Sequence, residues 1–157
     1  MDDYGEAFPY LRNVRRAFAA SEHAARAILE RLHAAAEKDE VQGLKIIARY
    51  PDELLLTFAG IGCYFRFAYT VNAGYIEYGQ WQVAREGERV YVKVSEWKLG
   101  TEGGFGSYEK GESDKPMYIA LAEIVRDVEG RCRAGRWTLT RHLVRGFDDP
   151  DTRRLEP

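Results

Sequence analysis

The 157 residues carry 23 lysines and arginines against 25 aspartates and glutamates, a formal charge of -2, with 45% hydrophobic and 31% charged residues. These are the proportions of a soluble globular domain, and they exclude a disordered, collagen-like or disulfide-scaffold chain. The slightly acidic balance argues against a large nucleic-acid footprint, and no apolar run approaches the roughly 18 residues that span a bilayer.

A chain of this length buries roughly 68 to 70% of the surface it exposes when unfolded, so a core forms without cross-links. Cys63 and Cys132 have no second pair and read as free thiols of a reducing compartment. The first residues, Met1-Asp2-Asp3-Tyr4-Gly5-Glu6, are acidic where a secretion signal is basic. The expected location is therefore the cytoplasm, with no membrane contact. Organisation reads as one domain over 1–147 followed by a polar tail, 148–157.

From about Pro9 to Lys38 there is no glycine, and apolar residues recur at steps of three and four: Leu11, Val14, Phe18, then Ala25, Ile28, Leu32 and Ala35. Only Ser21 interrupts this seam, whose period of 3.5 predicts a long amphipathic helix. At 1.5 Å per residue it would extend about 45 Å, more than a strand layer of this chain needs. The seam is expected to pack along its whole length on the chain's own sheet, with a break near Ser21 as one way to shorten the mismatch; the alternative is that part of it meets a partner, or a second copy in a homodimer.

Between Leu44 and Leu99 the pattern changes to period 2 and aromatics concentrate. Turn signals at Pro51-Asp52, Gly60 to Gly62, Asn72-Ala73-Gly74 and Glu86-Gly87-Glu88 divide the region into five segments. Such short connections predict a five-stranded antiparallel meander. Alternation puts Cys63, Phe65, Phe67 and Tyr69, with Val90, Val92 and Val94, on the face toward the helices. The opposite face then holds Tyr64, Arg66, Glu77, Trp81, Lys93 and Trp97. With a loop over Val71 to Gly74, the expected register sets Tyr64 beside Trp81 beside Lys93, Arg66 beside Gly79 beside Ser95, and Ala68 beside Glu77 beside Trp97. Small residues in the middle of large ones suggest local concavity. Aromatics with Arg and Glu are the composition of protein interface hot spots, although the same pairs also stabilise an ordinary solvated sheet.

Gly100, Gly103, Gly104, Gly106 and Gly111 mark a loop. Ser113 or Asp114 can cap a second helix carrying Pro116 in its first turn and Met117, Leu121, Ile124, Val128 and Cys132 on one face, with Gly135 as its stop. A short element follows over 136–145, readable as strand or helix. Arg131, Arg133, Arg136, Arg141 and Arg145 make this stretch locally basic, most simply as a solvated helix end and a charge-protected edge strand.

Several chemistries lack their residues. His23, His33 and His142 are scattered, without zinc spacing, so no metal and no cofactor is expected. No Gly-x-Ser-x-Gly elbow occurs, and the glycine-rich stretch lacks the Gly-Lys-Ser/Thr and Gly-x-Gly-x-x-Gly phosphate patterns. Glu77 and Glu96 fall on opposite faces by parity and make a poor acid–base pair. The resulting expectation is a two-layer α+β fold: long N-terminal helix, five-stranded meander, second helix and short C-terminal element. In function it reads as a non-enzymatic protein that binds another protein, as adaptor, chaperone-like factor or inhibitor, through Tyr64, Arg66, Glu77, Trp81, Lys93 and Trp97. The competing reading is a small-molecule binder or enzyme whose pocket lies on that face under the glycine-rich loop, with Glu77 as its acid or base.

Overall fold

The computed structural model of the chain describes residues 3–38, 43–70, 73–84, 87–100 and 115–133. Helix α1 (Asp3–Glu37) leads to five strands, β1 (Leu44–Tyr50), β2 (Glu53–Phe58), β3 (Ile61–Thr70), β4 (Ala73–Val83) and β5 (Arg89–Lys98), and helix α2 (Lys115–Arg133) follows. The strands pair antiparallel in the order β1-β2-β3-β4-β5, an open meander with both helices on one face. This is the two-layer α+β arrangement expected. The glycine-rich stretch beyond Gly100, the element over 136–145 and the tail over 148–157 lie outside the described residues.

The long helix starts at Asp3 and carries Pro9 inside it. Proline supplies no N–H to the carbonyl four residues back and so opens one helical bond, that to Gly5, in a turn whose residues face water. The apolar seam divides in two. Ala25, Ile28, Leu29, Leu32, Ala35 and Ala36 are buried, whereas residues 4–20 are exposed apart from half-buried Val14. Phe18 marks the border, its ring 5.8 Å from that of Phe67 and 5.0 Å from that of Tyr69.

The core between the layers joins Ala25, Ile28, Leu29, Leu32 and Ala35 of α1 to Met117, Ala120, Leu121, Ile124 and Val128 of α2, and to Leu54, Leu56, Ile61, Cys63, Phe65, Ile76 and Tyr78 of the sheet. Each large aliphatic side chain buried this way contributes about 1.5 to 3 kcal/mol. Val90 and Val92 form a satellite cluster with Ala84 and Cys132, and Val94 packs on the main core, so the predicted helix-facing sides of β3 and β5 are correct. Tyr78 ties the layers with a polar bond, its Oη donating to Glu123 Oε2.

Register departs from expectation in three places. Thr70 pairs with Ala73, so the β3–β4 connection is two residues shorter than a Val71–Gly74 loop, and every partner moves by two. Tyr64 therefore faces Gly79, and Arg66 faces Glu77. Val83 pairs with Arg89, so the β4–β5 connection is two residues longer than the expected 86–88 loop and Trp81 faces Tyr91 rather than Lys93; the pairs then run Gly79↔Lys93 and Tyr78↔Ser95, which leaves Val94 as the extra residue of a bulge. A bulge reverses parity beyond it. Glu77 consequently stands directly opposite Glu96, against the expected separation onto two faces, and Trp97 pairs with Ile76 and packs on the helix-side core. A second bulge separates Ile46 from Ala48 in β1.

Candidate binding face

Bulges bend strands and increase their twist, and with one in each edge strand this sheet curls toward the face away from the helices. The Tyr91 hydroxyl of β5 donates to Glu53 Oε1 of β2 at 2.9 Å, and the Arg89 guanidinium of β5 lies over the Tyr50 ring of β1 at 5.9 Å. In a flat sheet β5 and β2 would stand about 14 Å apart, too far for side chains perpendicular to the sheet. The outer face is thus concave, and it encloses a small core of its own, in which Leu55 and Tyr64 are fully buried.

Two glycines permit this closeness. At Gly62 a Cβ would sit 2.5 Å from the Trp81 carbonyl oxygen and 2.9 Å from its indole, so the bare backbone lets Trp81 lie across β3. From there Trp81 Nε1 donates to the Leu56 carbonyl of β2 at 3.0 Å. Gly79, beside the bulge, stands opposite Tyr64 and lets the backbone of β5 approach β4, where a Cβ would meet the Val92 carbonyl oxygen and the Val94 nitrogen; the Tyr64 and Tyr91 rings meet edge to face at 4.9 Å.

Glu77 is the electrostatic centre. Its Oε2 accepts from Tyr64 Oη at 2.8 Å and from Arg66 Nη2 at 2.5 Å. Arg66 in turn lies 5.2 Å from the Tyr64 ring centroid and 4.6 Å from that of Tyr91. Burial alone would lower the Arg66 pKa, but the bond and charge of Glu77 outweigh it and the net shift is upward. Burial, then the Glu77 charge, drives the Tyr64 phenol far above its usual value, so it stays a donor. Tyr91 also moves up, mainly through burial, while Arg89 opposes the shift and Glu53 adds to it. Lys93 pairs with Glu96 at the exposed margin, Nζ to Oε2 at 2.8 Å.

Of the six residues expected on this face, Tyr64, Arg66, Glu77, Trp81 and Lys93 share it, and Trp97 lies on the other. Tyr64 is part of its floor. Tyr50, Glu53, Arg89 and Tyr91 complete the cluster and were not in the expected set. Tyr91 stood on the same predicted face as Lys93, but nothing in strand periodicity shows that β1 and β2 curl over to meet β5.

The pocket expected under the glycine-rich loop involves residues outside those described. Two described cavities lie elsewhere: one of about 500 Å³ between the end of α1 and the start of β1, with His33, Glu37 and Lys45 among its walls, and one of about 210 Å³ beside Phe8, Leu11, Arg12 and Arg15. Among the described residues no group of three or more His, Cys, Asp or Glu is placed to hold a metal ion, and no helix is long and apolar enough to cross a membrane. Comparison with models of protein families, with curated proteins and with solved structures found no match to this chain.

Proposed function

We propose that the chain is a non-enzymatic partner-binding protein, of the adaptor, chaperone-like or inhibitor kind, that presents its concave sheet face to another protein in the cytoplasm. The observation that carries this reading is preorganisation. Trp81, Tyr91, Arg66 and Glu77 are held by bonds to one another and to the backbone before any partner arrives. Rigid aromatic and arginine groups of this kind lose little conformational entropy on binding and dominate interface energies. Around them Tyr50, Lys93 and Glu96 provide an exposed rim. The uncovered half of α1 offers a second surface, for the same partner or for a second copy of the chain.

The experiment is site-specific photo-cross-linking in the host. A benzophenone side chain at Lys93 is expected to capture one defined protein. The same group at Ile119, equally exposed on α2, is expected to capture nothing reproducible. Identical products at both positions, or none at Lys93, would defeat the reading.

A further inference from the structure

Two arginines stand on the concave face, and they are held differently. Arg66, in mid-strand, makes a direct bond to Glu77 and lies close on two rings. Arg89, the first residue of β5, hydrogen-bonds the side chains of Tyr91 and Tyr50, and its remaining contacts are long. Its Nη1 is 3.9 Å from Glu53 Oε1, its guanidinium carbon is 5.9 Å from both the Tyr50 and the Trp81 ring centroids, and its Nε is buried with no hydrogen-bond partner.

Two of the walls around Arg89 are also fixed by bonds that do not involve it. Trp81 is anchored through Nε1 to the Leu56 carbonyl, and Tyr91 through its hydroxyl to Glu53. Tyr50 closes the side toward solvent and is half exposed. Two aromatic rings, the Tyr91 and Tyr50 side chains that accept its hydrogen bonds and a carboxylate select a cation, and they favour a flat, weakly hydrated guanidinium over the compact, strongly hydrated ammonium of lysine. The charges agree. Glu53 and Glu77 balance Arg66 and Arg89, so withdrawal of Arg89 leaves the cluster with one net negative charge.

We propose that Tyr50, Glu53, Trp81 and Tyr91 form a guanidinium cage in which Arg89 is a displaceable resident, and that an arginine side chain of a protein partner takes its place. The clause about the partner rests on the function proposed above. The cage itself does not.

The test is Arg89→Ala, followed through the Trp81 indole N–H in proton–nitrogen correlation spectra, with Trp81→Phe identifying the signal. Methylguanidinium is expected to shift that signal saturably, binding about tenfold or more tighter than urea, its neutral planar counterpart. Wild-type protein is expected to respond at least about tenfold more weakly, because the resident competes, and Arg89→Ala with Glu53→Gln is expected to lose the response. A chain that unfolds on Arg89→Ala but refolds with methylguanidinium and not with urea also supports the cage. No saturable shift, an equal response in the wild type, or an unfolded variant that neither additive restores overturns it. Neither titration uses a protein partner, so a failed cage leaves the cross-linking result standing, and the reverse holds. The segment captured at Lys93 is expected to contain an arginine, and a segment without one removes the partner clause alone.

Discussion

One sheet builds two cores by different means. On the helix side Ile28, Leu32, Phe65 and Ile124 are buried as apolar side chains among apolar side chains, and the stabilisation follows from area removed from water. On the concave side a buried phenol and a mostly buried carboxylate meet a half-buried guanidinium, and a polar group withdrawn from water there destabilises unless it is matched by a partner. The first core tolerates exchange of one aliphatic for another at modest cost, whereas the second depends on individual bonds and on two absent side chains. Tolerant packing suits a scaffold. A rigid polar and aromatic surface, fixed by its own bonds, suits recognition.

The largest expected effect tests the geometry of the curled face. At Gly79 a Cβ would lie 2.1 Å from the Val92 carbonyl oxygen and 2.8 Å from the Val94 nitrogen, both backbone atoms of the bulged strand. Gly79→Ala should therefore cost about 3 kcal/mol or more in urea unfolding. Gly130, on exposed α2 with nothing near its Cβ position, provides the contrast. Gly130→Ala should be neutral or stabilise by up to about 1 kcal/mol. If Gly79→Ala matched the wild type, the close approach of β4 and β5 would be wrong, and the curl with it.

A smaller effect separates the two cores by pH. Cys63 and Tyr64 are adjacent and point to opposite faces. Burial alone pushes the Cys63 thiol up to about 12, whereas Tyr64 rises through burial together with Glu77. A thiol that ionises near pH 8.5 when unfolded but near 12 when folded leaves the unfolded state with fewer protons above pH 8.5, so stability falls as pH rises. Between pH 8 and 10 the loss from this group should be about 1 to 2 kcal/mol. Cys63→Ala, though less stable at neutral pH, should flatten that slope before the tyrosines titrate. An unchanged slope in the variant would mean that the thiol is not sealed in the helix-side core.

The helix-side core was legible in the sequence because it obeys simple periods. Steps of three and four found Ile28 and Leu32, and alternation found Cys63 and Phe65. The concave face was legible only in part. Arg66, Glu77 and Trp81 could be placed on one side, but their neighbours depended on the lengths of two connections and on the bulge at Val94. A bulge has no obligatory residue, and this one moved Trp97 to the helix side and brought Glu96 opposite Glu77. Contacts from β5 to Glu53 and Tyr50 arise from the curvature of the whole sheet, which no single segment encodes.

The smallest expected effect lies in the outer half of α1, with the buried inner half as its contrast. Leu11 and Ile28 lie on the same predicted seam, yet Leu11 is 62% exposed and Ile28 is fully buried. Removal of Ile28 atoms should cost about 2 to 5 kcal/mol as Ile28→Ala. Leu11→Ser should change the unfolding free energy by no more than about 0.5 kcal/mol, because little apolar surface leaves water there on folding. A loss for Leu11→Ser approaching that for Ile28→Ala, and dependent on protein concentration, would mean that the outer half of the helix is covered by a second copy. The same loss at every concentration would place its cover within the chain. No loss leaves Leu11 as apolar surface that adds nothing to folding and that a partner would cover.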